Sequence, residues 1–312
     1  MTQKYLYSFT WQRDEYDLSR LEMRTFFNFH VEGNVLISQE RIEPSRSPYM
    51  RSRLAIFYEA SSIEQLIEMA AQLELGQKTF KIHCLNNSHD GIQPKLNRSM
   101  RNDYMIRVSS AINAEPDLEK PDVVLGLVCH EERFYLGKLT YGEAVWLKHM
   151  QKPEMYSTAL STRDARAIVN IAVPFPDGLK VIDPCCGIGT VLVEAMSMGI
   201  AIEGRDINKR VVWGSQINLR HFGYEPNVEI GPIEEANEGY DVAIIDMPYN
   251  LFTHITSELQ QSIITNARRI AKRVIIVTIE SMDDKIHEAG LTIIDRAVLK
   301  KGKFERQVLI CE

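Results

Sequence analysis

The chain has 312 residues, 45% of them hydrophobic and 25% charged, and a formal net charge of −6, the composition of a globular protein long enough for two domains. The negative balance argues against a protein that coats nucleic acid through a basic surface, although a local basic patch that meets one folded RNA stays open. Neither a signal peptide nor an apolar run of membrane-spanning length is present, and the five cysteines, an odd number, form no disulfide framework, so a cytoplasmic protein with no membrane partner is expected.

Tyr5–Phe9 predicts a short strand, and Leu18, Leu21, Phe26 and Phe27 stand near helical spacing. Asn34–Ile37 and Leu54–Tyr58 predict two more strands. Between them Arg41, Arg46, Arg51 and Arg53, interrupted by Pro44 and Pro48, read either as a solvated loop or as an RNA-phosphate contact. Ser61 or Ser62 caps a helix whose inner face is Ile63, Leu66, Ile67, Ala70 and Leu73. With a strand over Thr79–Leu85, the order strand, helix, strand, strand, helix, strand is that of a split, ferredoxin-like domain. Asn86–Asn102 is polar, holds Lys95, Arg98 and Arg101, and predicts a loop or a poorly formed helix. Val123–Cys129 and Phe134–Leu139, reversed at Glu131 and Glu132, predict a hairpin, and Tyr141–Glu154 reads as a linker.

After the linker, Ser161 or Thr162 caps a helix with Ala165, Ile168, Val169 and Ala172 on one face, ended by Pro174 and Pro176. From there strands and helices alternate. Strands are expected at Leu179–Asp183, Ile200–Gly204, Asn227–Ile230, Asp241–Asp246 and Arg273–Ile279, with helices between them and a closing antiparallel hairpin of Leu291–Leu299 and Phe304–Cys311. The expected fold class is α/β: a seven-stranded, doubly wound, Rossmann-like domain preceded by an α+β region.

Two strand ends carry the chemistry. Val181–Thr190, VIDPCCGIGT, is an apolar strand that runs into an acid and two glycines before a helix, which suits a nucleotide-like ligand. A dinucleotide site would want a third glycine, but Gly187 and Gly189 are followed by Thr190, Val191 and Leu192. Asp183 stands where a pyrophosphate would lie, so the turn favours a cationic ligand such as the sulfonium and amino group of S-adenosylmethionine. Asp206, after the second strand, can accept from both ribose hydroxyls, with Glu203 as a competitor. After the third strand, Gly231 and Pro232 occupy the place expected for an acid that holds the adenine amine, and Glu234 can substitute from the adjoining turn.

Asp241–Tyr249, DVAIIDMPY, is the second such strand. The Asp246 carboxylate and the Met247 carbonyl can accept from a planar NH₂ group and so point its lone pair at a donor methyl. Pro248 holds Met247 extended, and Tyr249 can stack on a base. The catalytic candidates are therefore Asp246, Met247, Pro248 and Tyr249. The cofactor-binding candidates are Asp183, Pro184, Cys185, Gly187, Gly189, Thr190, Asp206 and Ile207. No metal site is expected: Cys185 and Cys186 lack a matching pair, and His83–Cys84 and Cys129–His130 alternate along strands and so point to opposite faces.

At these residues the sequence resembles the THUMP-containing tRNA guanine-N2 methyltransferases. The likeness runs through MYSTALSTRDARAIVNIA (from Met155), DPCCGIGT, Asp206, Asn218 and IIDMPY, with fainter matches in YLYSF and KPDVVLGLVCHEERFYLGKL. It implies a ferredoxin-like domain over 1–75, a THUMP-like RNA-binding domain over 76–140, a linker over 141–156 and the methyltransferase domain over 157–312. It also implies transfer from S-adenosylmethionine to an exocyclic base amine, guanine N2 in tRNA before others. Adenine N6, a protein amide, or a non-catalytic RNA-binding scaffold are the alternatives, and an activating protein subunit is possible but not indicated. The sequence departs from the family where Met247 replaces a second proline, where Asn250 replaces glycine, and where Gly231 and Pro232 leave no acid.

Overall fold

The computed structural model describes residues 2–28, 30, 33–85, 96–156, 159–176, 178–248, 256–301 and 304–312. In chain order it holds β1 (Tyr5–Phe9), α1 (Tyr16–Phe27), β2 (Val35–Ser38), β3 (Met50–Ala60), α2 (Ile63–Ala70), β4 (Phe80–Cys84), α3 (Arg98–Ala111), β5 (Val123–His130) and β6 (Arg133–Tyr141). There follow α4 (Trp146–His149), α5 (Thr162–Ala172), β7 (Val181–Asp183), α6 (Thr190–Ser197), β8 (Ile202–Asp206), α7 (Lys209–His221), β9 (Val228–Ile230) and β10 (Tyr240–Asp246). The chain ends with α8 (Ser257–Ile270), β11 (Ala271–Thr278), α9 (Asp283–Glu288), β12 (Ile293–Lys301) and β13 (Phe304–Cys311). Two compact units result, one of residues 1–10, 30–45 and 49–143, the other of 11–29, 46–48 and 144–312.

The first unit is one six-stranded sheet in the order β2-β1-β3-β6-β5-β4, antiparallel except for the β4–β5 pair. Strands from 1–75 and from 76–140 thus share a sheet through the long β3–β6 ladder, and the boundary expected near residue 75 falls inside it. The split arrangement is altered in two respects. β4 pairs with β5 instead of β1, and α1 belongs to the other unit. Ser62 caps α2, its hydroxyl accepting from Gln65 N at 3.1 Å. Glu131 and Glu132 both take positive φ, 48° and 60°, as a tight hairpin turn requires. Over Asn86–Asn102 a loop or a poorly formed helix was expected; α3 begins within that stretch and runs on to Ala111, and Val108 is its only buried residue among those described, so its helical period is faint. The arginine-rich segment is not a solvated loop throughout: Arg53 lies in β3, buried, and donates to Ile42 O. Lys95 lies outside the described residues.

The second unit is a seven-stranded sheet in the order β12-β13-β11-β10-β7-β8-β9, parallel except for β13, which runs antiparallel to both neighbours. From β7 the chain winds outward through β8 to β9 and then returns to β10 and β11 on the other side. The crevice between the ends of β7 and β10 is therefore the topological switch point where open α/β sheets bind ligands. Ile263, Ile264 and Ala267 of α8 bury Ala243 and Ile245 of β10. Ser161 caps α5 by accepting from Asp164 N at 3.1 Å.

Helix α1 brings a buried charge into this unit. Glu22 is fully buried and accepts from Ser47 Oγ at 2.5 Å and from Asn170 Nδ2 at 2.7 Å. Arg46, expected on a loop, is instead held by the carbonyls of Pro174 (2.6 Å) and Val173 (2.7 Å). Burial pushes the Glu22 carboxyl up to about 7 from its usual 4.5 and lowers Arg46 to about 10. The folded state then keeps a proton on Glu22 that the unfolded chain has released, so this group's contribution to stability falls as pH rises from 4.5 to about 7. Glu22→Gln, which keeps an acceptor and cannot ionise, is expected to remove a decline of up to about 1.4 kcal/mol per pH unit in that window. Urea midpoints of both proteins at pH 5 and pH 8 check this; equal pH slopes would refute it.

Candidate active site

The β7–α6 turn is built by its glycines and an acid. Gly187 and Gly189 take φ of 51° and 77°, and a Cβ on Gly189 would lie 3.0 Å from Ser215 Cβ, so only glycine lets α7 approach the turn. Asp206, at the end of β8, accepts from Gly187 N at 2.9 Å and from Asn208 N at 2.8 Å. It thus braces the glycine turn, while the second lone pairs of its oxygens stay available to hydroxyl donors. Asp183, at the end of β7, is 2% exposed and accepts from Cys185 N at 3.1 Å. Burial first, then the negative charges of Asp246 and Asp206, push its carboxyl well above the usual range. Burial also raises Asp206 and the thiols of Cys185 and Cys186, so the thiols stay protonated.

At the end of β9, Gly231 stands where an acid was expected. Its φ is 156°, and a Cβ there would meet the ends of two side chains, Arg205 Nη1 at 2.4 Å and Glu235 Oε2 at 2.8 Å, which would have to shift. Arg205 pairs with both Glu229 and Glu235. The first acid beyond Gly231 on the cavity is Glu234, whose carboxylate accepts from Ser262 Oγ at 2.5 Å. Arg269 donates to the carbonyls of Ile233, Glu234 and Ala236 and holds that turn in place.

At the end of β10, Met247 continues the ladder, its N–H donating to Val277 O at 2.8 Å, and its side chain is 1% exposed in the core beneath. A proline here would have neither the donor nor the thioether. Met247 is therefore fixed by a hydrogen bond and by packing, with Pro248 next to it on the cavity wall. Tyr249 and Asn250 lie outside the described residues.

These groups line one cavity of about 460 Å³. Of the candidates, Asp183, Pro184, Cys185, Gly187, Thr190, Asp206, Ile207, Asp246, Met247 and Pro248 face it, whereas Gly189 does not line it and stands as the N-cap of α6. Sequence reasoning missed Tyr156, Leu160, Asn208, Val211, Leu259 and Ile263 on the walls. Leu259 and Ile263 stand one helical turn apart on α8, a spacing that reads as core. The donor set fits S-adenosylmethionine: one buried carboxylate, Asp183, and two half-buried ones, Asp206 and Asp246, face the cavity, and Thr190 Oγ1, buried and without a partner, faces the same space. Among the described residues no cluster of three or more His, Cys, Asp or Glu could hold a metal, and no helix is long and apolar enough to cross a membrane.

Strand order and crevice together define a Rossmann-like α/β domain with a ligand cavity at its switch point. Residues 150–289 match the family model described as UPF0020: RMKL-like, methyltransferase domain. A tRNA (guanine(10)-N2)-dimethyltransferase of Methanothermobacter thermautotrophicus is 29% identical over 157 residues, 47% of this chain and 46% of that relative. The protein of the same name from Pyrococcus abyssi is 31% identical over 150 residues, 44% of each. The chain spans about half the length of the curated relatives it matches. The crystal structure of TrmN from Thermus thermophilus aligns over 99% of both chains with a TM-score of 0.49 and 16% identity.

Proposed function

We propose that this chain is an S-adenosylmethionine-dependent RNA methyltransferase that modifies an exocyclic base amine, guanine N2 in tRNA. The observation that carries the reading is the shared cavity: Asp246, Met247 and Pro248 line the same space as Asp183 and Asp206. The names of the curated relatives support the substrate class. We read the first unit as the part that binds and delivers the tRNA, in the manner of a ferredoxin-like and THUMP-like region.

In this reading Asp183 holds the amino group of the donor, Thr190 and the N-terminus of α6 its carboxylate, Asp206 the ribose and Glu234 the adenine amine. Bound there, S-adenosylmethionine supplies an electrophilic methyl on a sulfonium. Asp246 and the Met247 carbonyl accept from the two N–H groups of the base amine and free its lone pair, and Pro248 keeps the carbonyl in place. Tyr249, outside the described residues, is assigned the stacking role from the sequence alone. The test is incubation of purified protein with a tRNA transcript and labelled donor, followed by mass spectrometry of nucleosides. Methylguanosine supports the reading, N6-methyladenosine moves the substrate to adenine, and no RNA product with protein labelled instead would reject RNA as substrate.

Asp183 makes the donor site pH-dependent. A cation beside it favours the ionised form, so a bound ligand lowers a pKa that burial has raised. Affinity for S-adenosylhomocysteine is expected to rise with pH between the liganded and the unliganded pKa of Asp183, with up to one proton released on binding in that window. Calorimetry in buffers of differing ionisation enthalpy measures that proton, and an affinity flat with pH would show that Asp183 faces no cation.

A further inference from the structure

Helix α7 carries a face that the cavity does not use. Lys209, Arg210, Trp213, Ile217 and Arg220 are all exposed and fall on one stripe by helical spacing. Trp213 is 56% exposed and Ile217 45%, and Lys209 Nζ lies 5.0 Å from the Trp213 ring centroid. The 13 residues of the helix include no acid, and among the described residues no carboxylate pairs with Lys209, Arg210 or Arg220. Two of these cations stand in the first turn, where the helix dipole favours carboxylates, so they work against the stability of the helix that carries them.

A protein-docking patch concentrates apolar side chains and keeps charge out of its centre. Here the cations surround one indole and one isoleucine. An aromatic ring flanked by unpaired cations suits a single strand of nucleic acid, whose bases stack and whose phosphates seek positive charge. The stripe also starts at the rim of the cavity. Asn208, which caps α7 by accepting from Arg210 N at 3.0 Å, lines the cavity together with Val211, and Ile207 beside them is 74% exposed.

We propose that the outward face of α7 docks the RNA strand beside the target nucleotide, Trp213 stacking on a base while Lys209, Arg210 and Arg220 hold phosphates. From Lys209 to Arg220 the stripe runs about 16 Å along the axis, enough for more than one nucleotide. The inference rests on the RNA methyltransferase reading and names the surface by which the substrate is held.

The test is fluorescence anisotropy with a tRNA transcript over a range of salt, with S-adenosylhomocysteine calorimetry on the same full-length proteins. Trp213→Ala is expected to weaken RNA binding on the order of 10-fold, Trp213→Phe to restore most of it, and neither to alter calorimetric affinity. The double change Lys209→Ala, Arg210→Ala is expected to reduce the slope of log K against log salt by about 1.4 if each side chain contacts one phosphate of a single strand. Wild-type RNA affinity and salt slope in all three variants would overturn the inference while leaving the methyltransferase reading intact. Loss of self-association in Trp213→Ala with RNA binding unchanged would overturn it in favour of a protein interface. A wild-type protein that binds S-adenosylhomocysteine but not RNA would instead sink the RNA reading, and the inference with it.

Discussion

Asp246→Ala is expected to lower methyl transfer by at least about 100-fold, the size of effect seen when one positioned polar group is removed from a reacting centre, while donor binding survives. The residue ends β10 at the switch point and shares its cavity with Asp183 and Asp206. An aryl amine is a poor nucleophile because its lone pair is delocalised into the ring, and a carboxylate that accepts one N–H opposes that delocalisation. Without it, only the Met247 carbonyl remains, anchored through its own N–H to Val277 O. The signature is a fall in single-turnover rate with S-adenosylhomocysteine affinity retained. Asp246→Asn separates charge from shape: it keeps one acceptor oxygen and adds a donor that faces the amine. Turnover retained in Asp246→Ala would remove the residue from the chemistry, and lost affinity with unchanged turnover at saturation would move it to the donor site.

The seven-stranded sheet was legible because its strands are short apolar runs punctuated by glycine, proline and acid, and because the acids stand at strand ends. Asp183, Asp206 and Asp246 could be placed before any coordinates for that reason. Periodicity also located α1, but an apolar stripe states that a helix packs, not on what, so its membership of the second unit was invisible. Arg46 and Arg53 illustrate the same limit for charge: a run of arginines looks solvated until the carbonyls that take up each guanidinium are known. The departure at Met247 reads in sequence as a loss, yet a ladder hydrogen bond and a buried thioether anchor that position. At Gly231 a side chain would meet the Arg205 guanidinium, 26 residues earlier in the chain, a neighbour that no sequence pattern reveals.

The segment 141–156, read as a linker, leads to the largest stability effect we expect. His149 and Lys152 are buried, and His149 Nδ1 lies 2.7 Å from Glu194 Oε1. Arg166 of α5 donates to Glu194 Oε2 at 2.9 Å, and Glu194 itself, on α6, is fully buried. One carboxylate thus ties α5 and the segment that leads to Tyr156 against the helix that begins at the glycine turn. Glu194→Ala would leave the Arg166 guanidinium buried without its counter-charge and is expected to cost about 3–5 kcal/mol, the usual penalty for breaking a buried pair from one side. Removing both charges, Glu194→Gln with Arg166→Met, should cost less than the two single changes summed, because neither partner is then stranded. Urea unfolding of the four proteins of that cycle gives the coupling. A coupling near zero, or a loss below about 1 kcal/mol for Glu194→Ala, would show that solvent reaches the cluster and that the helices are held by apolar packing alone.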